Sequence, residues 1–260
     1  MFALQFLGGG RMAEALLGGL LAAGAVPVAD VSVVEVLDER RAELVRLHPG
    51  LHVTDVPESA ADVVVATKPG QVAQALAAAR DAGLQRVLSI AAGITIASLE
   101  AAAGPVPVVR AMPNTPALVG EGASAIAAGT RAGPADLDWA EGLLGTVGTV
   151  VRVPEDQLDA VTALSGSGPA YLFLVAEALI DAGVRAGLPA DTADALARQT
   201  VLGSARLLAR GGDPADLRAA VTSPGGTTAA AVRVLEDLDL RGAFAAAVDA
   251  AAERSRELGG

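Results

Sequence analysis

The seven residues Thr222–Thr228 read Thr-Ser-Pro-Gly-Gly-Thr-Thr and concentrate hydroxyls, glycines and a proline without any charge. Pro224 fixes its own φ, whereas Gly225 and Gly226 can adopt positive φ and let a ligand approach the backbone. An Ala-rich helical pattern follows, so the loop offers backbone N–H groups and a helix N-terminus to a small anion. The alternative is an ordinary corner between two helices, since Ser-Pro-Gly is common turn chemistry.

A second candidate site lies near the N-terminus, where Phe2–Leu7 has the pattern of a buried strand and a glycine turn follows it. Strand, turn and helical pattern together match G-x-G-x-x-[GA], which is typical of dinucleotide binding. Gly8 allows the tight turn, Gly10 lets a pyrophosphate reach the backbone amides, and Ala13 is small where the helix packs on the strand. The cofactor-binding residues predicted here are Gly8, Gly9, Gly10, Arg11 and Met12.

Glu35 ends the second predicted strand, Val31–Val36, and follows Gly8 by 35 − 8 = 27 positions. This is somewhat more than the roughly 20 expected between the glycines and a ribose-binding acid. A carboxylate there would accept hydrogen bonds from a ribose diol and repel a 2′-phosphate, which favours NADH. Arg40 or Arg41 could instead reach a 2′-phosphate, so NADPH stays open. The other interpretation of Glu35 is a solvated strand end.

Lys68 is the only lysine of the chain and follows the predicted strand Ala61–Thr67. All other basic side chains are arginine or histidine, so this lysine is not part of a general surface pattern. Open α/β sheets bind their ligands at the carboxyl ends of strands. We therefore predict that Thr67, Lys68 and Pro69 face the cofactor.

Two further strand ends carry residues suited to a nicotinamide ring. Ala91 and Ala92 follow the predicted strand Arg86–Ile90, and such small side chains leave room for a flat ring. Asn114 follows Val106–Met112 in a proline-rich segment, and its amide could pair with a carboxamide. The alternative for the latter segment is a rigid crossover loop.

The elements that must position these residues change character along the chain. Strands alternate with helical patterns up to Val153, which is typical of a doubly wound, mostly parallel sheet. Beyond it only helices are predicted, with a kink at Ser165–Pro169 and wide Ala-rich apolar faces that suggest packing on a second subunit. The predicted fold is α/β, with a Rossmann-type dinucleotide-binding domain over residues 1–153 and an all-helical dimerisation and substrate-binding domain over 154–260.

Composition excludes several other classes of protein. The 260 residues carry a net charge of −11 and 2% aromatic residues, which argues against nucleic acid and anionic membranes as partners. Without cysteine, neither disulfides nor thiolate chemistry can occur. His48 and His52 lack an accompanying carboxylate cluster, so no metal is expected. No targeting segment or uncharged membrane helix stands out, and the expectation is a soluble, cytoplasmic protein.

Over nearly its whole length the chain resembles pyrroline-5-carboxylate reductase. The matching motifs occur in order and are the N-terminal glycine turn, Lys68-Pro69, Ser89–Thr95, Arg110-Ala-Met-Pro-Asn-Thr-Pro116, Asp159-Ala-Val-Thr-Ala-Leu-Ser-Gly-Ser-Gly-Pro-Ala-Tyr171, Gln199–Gly203, Val221–Thr228 and Glu253-Arg-Ser-Arg-Glu-Leu258.

The resemblance implies reduction of 1-pyrroline-5-carboxylate to L-proline by NADPH or NADH, the last step of proline biosynthesis. It implies a homodimer, or a decamer built from five dimers. It places the nicotinamide near Lys68-Pro69, Ala91-Ala92 and Asn114. It places the substrate carboxylate on a loop in which Thr228, the predicted catalytic residue, lies beside the ring nitrogen. The substrate-binding residues implied are Ser223, Gly225, Gly226, Thr227 and Thr228.

Three positions depart from the family pattern. Arg11 stands where Asn is frequent and could add a pyrophosphate contact, and Gly70 replaces a common Gln. Glu35 stands where many members have Ser or Asn, which favours NADH modestly.

Two other functions remain open from the sequence. A β-hydroxyacid dehydrogenase would need a catalytic lysine in the second domain, and none follows Lys68. A non-catalytic dinucleotide-binding or scaffold protein would keep the glycine turn, but it would not need Asn114 or the hydroxyl-rich loop.

Overall fold

The computed structural model describes residues 1–259. The strands in this range are β1 (Phe2–Leu7), β2 (Val31–Val34), β3 (His52–Thr54), β4 (Ala60–Val65), β5 (Arg86–Ser89), β6 (Val108–Met112), β7 (Gly122–Ala128) and β8 (Gly148–Arg152). The helices are α1 (Arg11–Ala22), α2 (Asp38–Leu47), α3 (Val72–Asp81), α4 (Ile96–Ala103), α5 (Pro134–Gly145), α6 (Leu158–Val161), α7 (Gly168–Arg185), α8 (Ala190–Ala209), α9 (Pro214–Ala220), α10 (Thr227–Asp237) and α11 (Leu240–Gly259).

The strands form one sheet in the order β3-β2-β1-β4-β5-β6-β7-β8. Every neighbouring pair is parallel except β6 and β7, which pair antiparallel with Ala111 opposite Ile126. The chain leaves β1 towards one edge and returns at β4 to continue towards the other. This reversal between β1 and β4 is where open α/β sheets bind ligands. The predicted doubly wound, mostly parallel sheet is confirmed.

Helices cover both faces of the sheet and form two aliphatic core layers. One layer contains Leu16 of α1 and Leu144 of α5 together with Phe6 of β1, and the other contains Leu76 of α3 and Leu99 of α4 together with residues of β4 and β5. The inner strands are therefore buried on both faces, as continuous Val- and Leu-rich strands of a parallel sheet require, whereas the edge strands β3 and β8 are partly exposed.

Helix α4 was not predicted. It is only eight residues long and begins where Thr95 Oγ1 accepts a hydrogen bond from the Ser98 N–H at 3.2 Å. This cap satisfies one of the free N–H groups of the first turn. Strand β2 also ends at Val34 rather than at the predicted Val36, so Glu35 lies just beyond the sheet.

The predicted kink at Ser165–Pro169 takes the form of a wider helical turn. Helix α6 continues into a π-helical segment, Thr162–Gly166, where the Ser167 N–H reaches back to the Thr162 carbonyl at 2.8 Å. Helix α7 follows at once. Such π turns are frequent at functional sites because the extra residue shifts the helix face.

By internal packing the chain forms two units, Met1–Ser167 with Ala250–Gly260, and Gly168–Asp249. The division into domains at 153/154 therefore stays a prediction. In the second unit, all of whose residues are described, only Ala193 and Ala197 are buried. Phe173, Leu174 and Leu238 are each more than three-fifths exposed. The second unit thus leaves most of its apolar surface uncovered within one chain.

One helical segment among the described residues, Glu155–Arg185, is long and apolar enough to cross a membrane by length and composition alone. It contains Glu177 and Asp181, and only 6% of its most apolar window is buried in the chain. An uncovered helix of a subunit interface has the same character, so this finding is weak evidence for a membrane.

Candidate active site

The glycine turn has the geometry that close approach to a ligand requires. Gly8 has φ +99°, and a Cβ there would lie 2.7 Å from the Ala66 carbonyl oxygen. A Cβ on Gly10 would meet no atom within 4 Å, so its surface is open. Gly10 precedes α1, whose first intrahelical bond is from the Glu14 N–H to the Gly10 carbonyl at 2.9 Å. The N–H groups of Arg11, Met12 and Ala13 are thus free for an anion.

The sheet brings the predicted cofactor residues of the first unit to one edge. Gly8, Glu35, Thr67 and Ala91 follow the carboxyl ends of β1, β2, β4 and β5, which are parallel neighbours. Asn114 follows the next parallel strand, β6. The remaining predicted cofactor residues lie beside these, in the turn, the first turn of α1 and the following loops, and they are Gly9, Gly10, Arg11, Met12, Lys68, Pro69 and Ala92.

Two features near the switch point fit a dinucleotide. Thr67 Oγ1 is buried, and among residues 1–259 no hydrogen-bond partner lies within reach. A Cβ on Gly8 would lie 3.0 Å from the Thr67 backbone nitrogen, so Thr67 lies directly beside the glycine turn. Lys68 and Arg11 are exposed, and within the described chain neither is within ion-pair distance of a carboxylate. Both charges are available to a phosphate group.

Glu35 is held in place by backbone N–H groups. Its Oε2 accepts from Gly9 N–H at 3.1 Å, and its Oε1 accepts from Leu37 N–H at 3.0 Å. Each carboxylate oxygen has more than one acceptor position, so both can still accept from a ribose diol. The alternative of a merely solvated strand end does not describe this geometry, because the carboxylate is tied to the glycine turn.

Arg40 and Arg41 are both engaged by the chain itself. Arg40 donates from Nε to the Gly9 carbonyl at 2.7 Å and pairs with Glu14 at 2.5 Å and Glu43 at 2.6 Å. Burial alone would lower the pKa of Arg40, but the hydrogen bonds and charges of Glu14 and Glu43 outweigh it and raise that pKa. Arg41 donates to the Glu35 carbonyl at 2.8 Å and pairs with Asp38.

Asn114 is buried, with 9% exposure, and its amide is used twice within the first unit. Nδ2 donates to the Ser165 carbonyl at 3.0 Å, and Oδ1 accepts from the Ala123 N–H at 2.8 Å. These bonds tie the segment after β6 to the π-helical turn. A nicotinamide carboxamide would have to use the second N–H or the second lone pair of this amide, so its predicted role stays a prediction.

The C-terminal segment also lies at this edge, which the sequence did not indicate. Ser255 Oγ donates to Asp159 Oδ1 at 2.6 Å, and a Cβ on Gly93 would lie 3.2 Å from the Leu258 carbonyl oxygen. The end of α11 therefore packs against the loop that follows Ala92. These contacts join residues 96 and 258 − 93 = 165 positions apart, and no spacing rule reveals them.

A partly buried ion pair was also not predicted. Glu155 Oε1 accepts from Arg110 at 2.8 Å and from the Ile96 N–H at 2.6 Å. It thereby connects β6 to the start of α4. Within residues 1–259, no group of three His, Cys, Asp or Glu side chains is arranged to hold a metal ion.

The hydroxyl-rich loop belongs to the second unit and combines both interpretations made from the sequence. It is a corner between α9 and α10, with Gly225 at φ +73° and a turn from the Gly226 N–H to the Ser223 carbonyl at 3.0 Å. Gly226 has φ −78°, not a positive φ, and a Cβ on it would lie 2.5 Å from Ser223 Oγ. The first intrahelical bond of α10 comes from Ala230, so the N–H groups of Thr227 and Thr228 are free for an anion.

A doubly wound sheet with an open glycine turn at its switch point, followed by a helical unit, defines a dinucleotide-dependent oxidoreductase. Residues 3–93 match the family model described as NADP oxidoreductase, coenzyme F420-dependent. Residues 155–258 match the one described as pyrroline-5-carboxylate reductase dimerisation.

Full-length relatives agree with these matches. The chain is 45% identical to the pyrroline-5-carboxylate reductase of Corynebacterium melassecola, with 100% of this chain and 99% of the relative aligned. The structure of the Coxiella burnetii enzyme has a TM-score of 0.92 at 37% identity, covering 100% of this chain and 99% of that one. The Plasmodium falciparum enzyme with NADP bound has a TM-score of 0.84 at 29% identity, covering 100% and 98%. The chain belongs to the pyrroline-5-carboxylate reductase family.

Proposed function

We propose that this protein reduces 1-pyrroline-5-carboxylate to L-proline by hydride transfer from NADPH or NADH, the final step of proline biosynthesis. The observation that carries the proposal is the 45% identity to a pyrroline-5-carboxylate reductase across the entire chain. The open glycine turn at the switch point independently supports the dinucleotide cofactor, because it suits the pyrophosphate.

The first unit would hold the cofactor. The free N–H groups at the start of α1 bind the pyrophosphate, and Arg11 adds a charge beside them. Glu35 accepts from the adenosine ribose, and Thr67 Oγ1, buried without a partner in the described chain, gains one when the cofactor lies along the strand ends. Lys68, Ala91 and Ala92 surround the nicotinamide, which supplies the hydride.

The loop Ser223–Thr228 would bind the substrate. Its free N–H groups and hydroxyls anchor the carboxylate, which fixes the face of the ring that meets the hydride donor. Charge-assisted hydrogen bonds of about 1.5–3 kcal/mol each are sufficient to orient so small a ligand. Thr228 Oγ1 hydrogen-bonds the ring nitrogen. The loop contains no side chain that titrates near neutral pH, so the proton comes from solvent or enters with an already protonated imine.

The oligomer proposed is a homodimer formed through the helical unit, with assembly of five dimers into a decamer as the larger form. The match to the dimerisation model over residues 155–258 supports the dimer. We place the enzyme in the cytoplasm, where its dinucleotide cofactors are available.

The activity is tested by following NADH and NADPH oxidation with pyrroline-5-carboxylate, beside a 2-ketoacid. Oxidation with the imine alone supports the proposed function. Oxidation with the ketoacid alone would assign the protein to hydroxyacid chemistry instead.

Thr228→Ala tests the substrate loop. Loss of one hydrogen bond of about 1.5–3 kcal/mol predicts that kcat/KM for the imine falls about 10- to 150-fold while the Kd of the cofactor is unchanged. The matched control is Thr222→Ala, because the Thr222 hydroxyl donates to the Arg218 carbonyl at 2.6 Å and not to a ligand. Equal losses in both variants, or an equal loss of cofactor affinity, contradict the role of Thr228.

A further inference from the structure

The segment after the carboxyl end of β2, including the start of α2, carries more charged side chains than ribose binding requires. Arg40 uses Nε, Nη1 and Nη2 together, on the Gly9 carbonyl, Glu43 and Glu14 at 2.7, 2.6 and 2.5 Å. Its side chain is only 18% exposed. Each nitrogen of the guanidinium thus already has an oxygen partner at short distance, and little of its surface faces solvent.

Arg41 is held in a similar way. It donates to the Glu35 carbonyl at 2.8 Å and pairs with Asp38 on the same helix. Its side chain is 24% exposed. The positive charge of both arginines is therefore already paired with carboxylates, so a phosphate would have to compete with those ion pairs.

The glycine turn connects these arginines to the predicted ribose site. Gly9 donates its N–H to Glu35 Oε2 at 3.1 Å and receives Arg40 Nε on its carbonyl at 2.7 Å. Glu35 and Arg40 are therefore both hydrogen-bonded to the backbone of Gly9, the first to its N–H and the second to its carbonyl. If Arg40 were released from its ion pairs, its guanidinium would lie beside Glu35. This is the carboxylate that the ribose 2′-phosphate of NADPH has to approach.

The charges in this network do not balance. Glu14, Glu35, Asp38 and Glu43 supply four carboxylates against the two guanidinium groups. The 2′-phosphate of NADPH, which carries between one and two negative charges near neutral pH, would be repelled by these carboxylates. The uncharged ribose diol of NADH would not be repelled.

We propose that Glu14 and Asp38 are specificity-determining residues, which hold Arg40 and Arg41 in ion pairs and so make the site select NADH over NADPH. Arg40 acts as a positioning residue, because its bond to the Gly9 carbonyl fixes the glycine turn. The inference rests on the proposed function only for the class of cofactor.

The test compares the Kd values of NAD⁺ and NADP⁺, which differ only by the 2′-phosphate, by isothermal titration calorimetry. The wild-type protein is expected to bind NAD⁺ at least tenfold more tightly. Glu35→Ser should narrow this ratio. Adding Glu14→Gln should narrow it at least threefold further, because Arg40 then has one carboxylate fewer. Asp38→Asn should act in the same direction through Arg41.

The matched control is Glu39→Gln. Glu39 lies on the same turn of α2 as Asp38 and Arg40. It is exposed, and within the described residues it forms no ion pair. It therefore makes the same change in net charge without releasing an arginine. Adding Arg40→Met to the Glu14→Gln/Glu35→Ser variant should abolish its gain in NADP⁺ affinity over wild type. Retained NAD⁺ binding shows that the triple variant is still folded.

Three results would overturn the inference. Wild-type protein could prefer NADP⁺, Glu39→Gln could match Glu14→Gln, or the gain could survive Arg40→Met. Failure of both nucleotides to bind would reject the nucleotide site and the inference with it. Normal binding of both without turnover of pyrroline-5-carboxylate would contradict the proposed function alone.

Discussion

At the scale of single residues, the two outer glycines of the turn have separable roles. Gly8 combines φ +99° with a position where a Cβ would lie 2.7 Å from a carbonyl oxygen, so Gly8→Ala should lower the free energy of unfolding by about 1–3 kcal/mol. Gly10 has φ −67° and open space around it. Gly10→Ala should therefore leave stability within about 0.5 kcal/mol and weaken dinucleotide binding. Urea unfolding and calorimetric titration measure the two effects, and equal stability losses would contradict this division.

The residues that could be predicted from sequence are those whose role follows from a neighbour in the chain. Gly8 and Gly10 belong to a local pattern, and Lys68 stands out by its rarity. Two partners of Arg40, Glu14 and Gly9, could not be predicted, because they lie on other elements and approach only when β1 and β2 pair. For the same reason the engaged amide of Asn114 was not foreseen.

At the scale of elements, the end of α11 belongs to the first unit and is tied to α6 by one partly buried hydrogen bond. Ser255 is 7% exposed and donates to Asp159 at 2.6 Å. Because hydrogen bonds to charged groups contribute about 1.5–3 kcal/mol, Ser255→Ala should cost that much stability. Amide hydrogen exchange should also speed up in residues 250–259. Ser204→Ala, on the exposed side of α8, is the control and should change neither. Unchanged exchange in Ser255→Ala would show that packing alone holds this segment.

Most helices and strands could be predicted because the pattern of apolar residues stays uniform over long stretches of the sequence. The strands of the sheet are continuous apolar runs bounded by turn residues, and the helices after residue 153 alternate with short Gly- or Pro-containing turns. Helix α4 was missed because eight mostly apolar residues do not distinguish a short helix from a loop. The order of the strands, with β7 antiparallel, also depends on contacts that no local pattern contains.

At the scale of the whole molecule, the second unit cannot account for its own stability. Of residues 168–249, two alanines are buried, while Phe173 and Leu174 are 63% and 65% exposed. An aliphatic side chain contributes about 1.5–3 kcal/mol when it is fully buried, so this unit needs a partner surface. The sequence indicated this through its wide apolar helix faces, but the extent of exposure required the structure.

If the proposed dimer forms through the second unit, Leu174→Glu should weaken self-association, because an isologous interface contains the substitution twice. The expected increase in the dimer Kd is at least a hundredfold, measured by analytical ultracentrifugation. Val56→Glu, at a position 57% exposed in the first unit, is the matched control and should leave the dimer intact. If Leu174→Glu does not fold, the melting temperature of the wild-type protein gives the answer, because that of a dimer rises with protein concentration. A monomeric mass together with a concentration-independent melting temperature would contradict the dimer.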